Sequence, residues 1–483
     1  MDSRGCIPVQ LPVPNPTPSY WHQPKAAIAN YRSADSLPSS ADYVIIGSGI
    51  SGTMIAWNLL EKGVKGKIIM LEAREACGGA TGRNGGHTKA ASYRTFIDHC
   101  AHLSPEEALK IIRLEYANIM ATYAFARTHR IECESRLCNT VDIVYDRETF
   151  ERGKEAIEMI REAVSEEERK EGGVGWYRVW QKEEAMKRFW VSKENENGLV
   201  EEKEELQGAF EYVAGSLSAY RFAIGILELC LKKGLQLWTN TAVTKVRPIP
   251  GRADREIEGT GFRWEIHASD SIIRTQNVVM ATNGYSAYLL PVMQGVIVPM
   301  RGLITTQIPG LKAKFPTPLP TTYSFLYKQG YEYMIPRLLP DGSGDQHIVI
   351  GGGLGRQKDA GVSEYGTCDD STMDQEMLNY LKEAARGYFG LENWGETGGG
   401  EERIKQEWTG IMGMTRDELP LVGEVPGMKR LWISAGFNGH GMVLCLKSAE
   451  FLSHLIVGGF YGEIEWFPES FLVTEGRISA GKS

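Results

Sequence analysis

Short apolar runs broken by glycine punctuate the chain from Asp42 onward. Tyr43-Val44-Ile45-Ile46 is apolar throughout, the pattern of a strand covered on both faces, and a glycine-rich turn follows it. The spacing then predicts a helix over Thr53 to Lys62 and a second buried strand at Lys67-Ile68-Ile69-Met70-Leu71. Together these make one βαβ unit of a doubly wound sheet. Further on, Ala223 to Lys233 reads as a helix, Leu235 to Trp238 and Ala242 to Val246 as strands, and Asn277 to Ala281 as another buried strand. Met442 to Val457 reads as a closing helix. Val296 to Gly353 instead alternates apolar and polar positions with frequent aromatics, which suits an antiparallel sheet with one face toward a pocket.

The intervening pieces differ in character. Residues 104 to about 190 are helical and highly charged, with Ser104-Pro105-Glu106-Glu107 supplying an N-cap, a first-turn proline and acids at a helix start. This stretch reads as an insertion away from the sheet. The acidic tract Lys193 to Glu205 reads as a solvated loop, because like charges repel and stay wet. Pro12, Pro14, Pro16 and Pro18 make residues 1–40 an extended arm on the surface. The resulting expectation is an α/β chain in two interleaved units. Residues 41–103, 206–290 and 401–470 form a doubly wound nucleotide-binding domain of Rossmann type. Residues 104–205 and 291–400 form an antiparallel-sheet substrate domain with helical insertions, and 471–483 a tail.

Composition narrows the function. A chain of 483 residues supports two domains, and its 42% hydrophobic and 24% charged residues are those of a folded enzyme. A net charge of −8 argues against a nucleic-acid or anionic-membrane partner, since either needs a basic surface. Met1 to Gln10 lacks a basic segment followed by an apolar one, and no run of eighteen apolar residues occurs, so a soluble intracellular and cytoplasmic protein is expected. Of eight cysteines, the closest pair, Cys133 and Cys138, has no downstream partners to complete a zinc site. Reduced thiols and no metal are expected. His99 and His102 share a helix face without a third ligand, and Gly476 to Ser483 matches a P-loop by letter but lacks the strand before it and the helix after it.

The strongest motif is Gly47-Ser48-Gly49-Ile50-Ser51-Gly52 between the first strand and helix, with Glu72 at the end of the next strand. Gly47 permits the tight turn, Gly49 lets the backbone approach a pyrophosphate, and Gly52 allows helix and strand to pack. The helix N-terminus offers partial positive charge, and Glu72 can accept hydrogen bonds from ribose hydroxyls. The motif alone does not separate FAD from NAD.

After Glu72-Ala73-Arg74 comes Gly79-Ala80-Thr81-Gly82-Arg83-Asn84-Gly85-Gly86-His87, which resembles the second flavin-contacting segment of the D-amino-acid-oxidase-like family. That family includes glycine, sarcosine and gamma-glutamylputrescine oxidases. Later landmarks keep the order. Val278 to Gly284 resembles the family's strand ending in small residues, Val298 to Gly302 its crossover into the substrate sheet, and Tyr333 to Arg337 a strand of that sheet. Trp408 to Gly410, Asp417 to Gly423 and Gly436-Phe437-Asn438-Gly439-His440-Gly441-Met442 resemble its C-terminal signature. The resemblance covers about residues 40 to 460 and implies FAD as cofactor. It adds Val243, Thr282 and Gly284 to the implied cofactor contacts, beside the residues of the three glycine-rich segments.

The resemblance further implies oxidation of a C–N bond of an amine, by hydride transfer to flavin N5, giving an imine, with oxygen or another acceptor reoxidising the flavin. A flavin monooxygenase using a nicotinamide, and a flavoprotein with a non-redox cyclase or binding role, are the alternatives. Freed by Gly439 and Gly441, the amides opening the Met442 helix are expected to face the flavin pyrimidine and stabilise negative charge. His440 is read either as a polar neighbour of the cofactor or as a packed structural residue. His87 is a candidate for covalent attachment and, with Tyr333, for catalysis. The cysteine tether of the sarcosine oxidase branch has no counterpart in Gly410 to Met414, so non-covalent flavin is expected. Arg301, Tyr327 and Trp408 are candidate substrate residues, beside Tyr331 and Tyr333. Because Ile411-Met412-Gly413-Met414 holds no arginine to pair a carboxylate, a secondary or conjugated amine is expected and not a free α-amino acid.

Overall fold

The computed structural model describes residues 2–250, 261–395 and 403–482. Two sheets organise them. In the first, Gln236–Trp238, Ile68–Leu71, Ser40–Ile46, Ser271–Met280 and Leu431–Ala435 lie side by side in parallel, and Leu421–Glu424 closes one edge antiparallel. The register sets Ile46 opposite Leu71 and Met280, so three strand ends converge beside Gly47. Val44, Ile45, Ile69, Val278 and Val279 are inaccessible to solvent, as expected of strands covered on both faces. The helices Ile50–Glu61, Ala219–Lys232 and Cys445–Ile456 supply the cover on one face. Trp264–Ala268 and Val243–Pro248 extend the sheet as an antiparallel ribbon.

The second sheet has nine strands and runs Ile404–Met414, Val298–Gln307, Gln346–Gly351, Gly330–Leu338, Thr322–Tyr327, Arg136–Val144, Gly208–Ser216 and His87–Thr88, with Arg178–Gln181 beside Gly208–Ser216. It departs from the expected antiparallel sheet at one seam, where Thr322–Tyr327 and Arg136–Val144 run parallel. The strands of this sheet also cross the expected domain division. The charged stretch after residue 104 is not simply an insertion: between its helices Pro105–Thr128 and Arg147–Ala163 it contributes the strand Arg136–Val144 to the sheet centre. Gly208–Ser216 and Ile404–Met414, grouped by sequence with the nucleotide-binding domain, also lie in this sheet. The boundary at residues 401 and 402 lies outside the described residues. Ser104 caps the long helix as expected, accepting from the Glu107 amide at 3.1 Å.

Only part of the N-terminal arm lies on the surface. Thr17, Ser19 and Trp21 are buried between the sheets, because their polar groups satisfy backbone atoms there. Ser19 Oγ donates to the Gly82 carbonyl at 2.8 Å, and Thr17 Oγ1 accepts from the Thr409 amide at 3.0 Å. All eight cysteines are free thiols. Among the described residues no helix is long and apolar enough to cross a membrane. Ser483, the last residue of the P-loop look-alike, lies outside the described residues, and its neighbours form the helix Glu475–Lys482.

Candidate active site

A cavity of about 650 Å³ runs between the sheets, from the glycine turn after Ser40–Ile46 to the strands Val298–Gln307 and Gly330–Leu338. At one end the turn leads straight into the helix Ile50–Glu61, whose opening amides lack intrahelical partners. Gly47 adopts φ +107°, and a Cβ there would meet the Ala281 carbonyl oxygen at 2.5 Å, so only glycine fits this close approach. The Ile50 amide donates to Thr81 Oγ1 at 3.0 Å, joining the turn to the second glycine-rich segment. Glu72 accepts from the Ser48 amide at 2.9 Å and its hydroxyl at 2.7 Å, which holds the carboxylate at the cavity edge.

Behind the second segment sits Asp370, fully buried and not singled out in the sequence. Its carboxylate takes Arg74 through both oxygens, at 2.9 and 3.1 Å, and lies 3.4 Å from Arg83 Nε. Arg83 also donates to the Thr409 carbonyl at 2.6 Å and to Thr17 Oγ1 at 2.7 Å, and burial lowers its guanidinium to about 10. The arginines of the glycine-rich segments are thus committed to the protein.

Toward the second sheet the lining becomes His87, Lys89, Arg94, Ser324, Tyr331, Tyr333 and His440. His87 Nε2 bonds Thr322 Oγ1 at 2.7 Å, and burial, with Lys89 and Arg94 nearby, drives its pKa well below the ordinary value. His440 Nδ1 donates to the Asn438 carbonyl at 2.8 Å, and burial lowers its pKa to about 4. That bond leaves Nε2 of a neutral ring as an acceptor. Tyr333 is wedged against Gly85 and Gly351, where a Cβ would overlap its ring, and burial raises its phenol above the usual range. Lys89 donates to Asp142 and, at 2.6 Å, to Ser324 Oγ; burial pulls its ammonium down to about 8. Arg94 differs from these charges. Its guanidinium lies 4.4 Å from the Tyr331 ring, and among the described residues it has no hydrogen bond or ion pair.

Several sequence candidates fall elsewhere. Gly52, Gly82, Gly86, Gly284 and Gly436 do not line the cavity but stand where neighbouring atoms press on the backbone, as Met412 does on Gly284 and Thr415 on Gly436. The other proposed cofactor residues, from Gly47 to Met442 and including Ala73, Val243 and Thr282, line it. Arg301 faces away and forms a bidentate pair with Glu364 at 2.6 and 3.0 Å. Tyr327 lies on the opposite side of its strand from Ser324, its hydroxyl on Glu332 at 2.9 Å and its ring under Arg356. Trp408 is covered by Arg83, whose carbonyl takes the indole hydrogen at 2.8 Å, and by the ring of Tyr20. The expected Met442 helix start is also displaced: Gly441–Val443 is a single 3₁₀ turn, and the α-helix begins at Cys445. His99 and His102 join no metal cluster among the described residues.

The sequence profile of the DAO family, FAD dependent oxidoreductase, matches residues 42–455. The chain belongs to this family. A curated relative, the glycine oxidase of Pseudomonas putida, is 25% identical over 228 residues, which cover 47% of this chain and 53% of that enzyme. The match therefore spans about half of the relative's length. Among solved structures, glycine oxidase from Geobacillus kaustophilus superposes with a TM-score of 0.67 at 17% identity, covering 91% of this chain and 99% of that one. The L-amino acid deaminase of Proteus vulgaris, with its specific insertion deleted, gives 0.65 at 18% identity over 93% and 98% of the two chains. The member described here thus has the two-sheet fold of these flavoenzymes, and FAD is its cofactor.

Proposed function

We propose that this FAD-dependent oxidoreductase dehydrogenates a C–N bond of a small amine that also carries an anionic group, normally a carboxylate. The observation that carries the reading is Arg94. Its buried Nε has no hydrogen-bond partner among the described residues, and although Asp142 and the surrounding tyrosines favour its charge, a bound anion would supply the missing acceptor. This replaces the expectation drawn from Met412, because a carboxylate partner can come from a different segment. The residues fit FAD as a group: a glycine cradle that a Cβ would fill, a helix N-terminus for the pyrophosphate, and Glu72 for the ribose. Gly49, Ser51, Thr81 and Asn84 are assigned to hold it, with His87 and Gly439 to Met442 toward its ring. When bound, FAD supplies a two-electron acceptor for the hydride on the carbon beside nitrogen.

The protein's own part is binding, orientation and exclusion of water. Arg94, held over the Tyr331 ring, presents a planar fork to a carboxylate. His440 Nε2 accepts an N–H of the amine, and with a pKa near 4 it takes no proton at neutral pH. His87, its pKa held low by burial, is a weak base, and Tyr333, its phenol raised by burial, keeps its proton. With both histidines weak bases, and with Lys89 at about 8 and so mostly protonated at neutral pH, the amine arrives deprotonated, and oxidation accelerates as pH rises through the bound amine's pKa. The test is anaerobic mixing with amines in matched pairs, with and without a carboxylate, following loss of flavin absorbance. Faster bleaching by the carboxylate member, and a loss of about 100-fold in that advantage in Arg94→Gln, is expected. Equal rates for both members in the wild type would overturn the reading.

A further inference from the structure

Arg94 is carried two residues beyond an awkward turn. Ser92 has φ 53° and ψ −121°, a backbone conformation that side-chain-bearing residues rarely adopt, and it is the N-cap of the helix Tyr93–His102. What holds the turn comes from another element. Glu115, on the helix Pro105–Thr128 and 4% exposed, accepts the Ala91 amide on one carboxylate oxygen and the Ser92 amide on the other, each at 3.2 Å. We propose that Glu115 is a positioning residue for anion recognition: its carboxylate, bridging the Ala91 and Ser92 amides, holds the turn from which Arg94 reaches the cavity. This rests on the reading of Arg94 given above. A glutamine could not reproduce the bridge, because one of its two polar atoms is a donor facing a donor.

The bridge needs the ionised carboxyl, and burial raises this group to about 7 against the pull of the two amides and of Arg94. Protonation turns one acceptor into a donor and loosens the turn. The groups facing Glu115 are Arg94 and the Tyr177 phenol, which is bonded to Ser92 Oγ. Lys89, with Asp142, lies on the same segment and titrates near 8, but its protonation at lower pH would strengthen anion binding and so works in the opposite direction. Removing the Glu115 charge acts in that direction too. The sign of the result therefore separates positioning from simple electrostatics.

The probe is benzoate, ionised throughout pH 6 to 9, titrated into the FAD-loaded enzyme and followed by perturbation of the flavin spectrum. Wild type should lose affinity as pH falls through about 7, Glu115→Gln should bind about tenfold more weakly at pH 8 with FAD retained, and its pH step should be gone. KM for the carboxylate substrate should rise while kcat for an uncharged amine is kept. Tighter or unchanged benzoate binding in Glu115→Gln, or a flat wild-type profile, overturns the proposal; the wild-type profile decides if the variant fails to fold. Arg94→Gln separates the two readings: unchanged benzoate affinity there removes the anion site itself, whereas loss there with normal Glu115→Gln behaviour removes only the role of Glu115.

Discussion

Trp21 and Asn84 stand 63 positions apart, yet the indole Nε1 of Trp21 donates to the Asn84 carbonyl at 2.7 Å. The N-terminal arm thereby clamps the glycine-rich segment that lines the cavity. Trp21→Phe keeps an aromatic ring, though a smaller one, and leaves that carbonyl unpaired, a cost of about 1–3 kcal/mol. Roughly tenfold weaker FAD retention is expected, read by fluorescence during dialysis, with little change in KM.

Gly49→Val should abolish FAD binding and yield a colourless protein. Even its first added carbon stands 3.0 Å from Thr81 Oγ1, and the branches beyond fill the path of the pyrophosphate. The absorbance spectrum of the purified variant, before and after added FAD, is the measurement.

Asp370→Asn should be among the most destabilising polar substitutions. It leaves Arg74 and Arg83 buried without their shared counter-ion, at a cost of about 3–5 kcal/mol. Denaturant unfolding of the apoprotein should show it as a lowered midpoint at unchanged slope.

His22 and His440 both sit near 4, burial being the main cause. In the unfolded chain each titrates near 6.5, so between those values the unfolded state binds more protons. Stability is therefore full above about 6.5 and falls as pH drops toward 4, by up to about 3 kcal/mol per histidine. Urea unfolding of the apoprotein at pH 7 and pH 5 should show the loss, and His440→Gln should reduce its slope.

Flavin should be released on acid precipitation, leaving a colourless pellet. His87, the candidate anchor, has Nε2 engaged with Thr322 at 2.7 Å, and Gly410 to Met414 contains no thiol. A yellow pellet with the adduct on His87 would contradict this.

The glycine turn, the strand after it and Glu72 were legible because their signal is local: residues close in sequence make one βαβ unit. Asp370 was not, since it meets Arg74 and Arg83 only after the chain has crossed between sheets. Tyr327 was misplaced for another reason. A strand sends alternate residues to opposite faces, and composition does not say which face is the cavity's. Arg301 shares that difficulty, while Trp408 lies on the same strand as Met412 but beneath Arg83. Arg94 was hidden because its significance is a buried Nε without a hydrogen bond, a property of three-dimensional neighbours alone.

The interleaving of the sheets also dictates how the protein comes into being. The strand Ile404–Met414 pairs with Val298–Gln307, and Leu431–Ala435 with Ser271–Met280, so each sheet waits for a strand from beyond residue 403. Neither sheet is therefore complete before residues beyond 403 have joined it. Until then one edge of Ser271–Met280 and one edge of Val298–Gln307 lack their neighbour, and such an edge is a template on which another chain can pair.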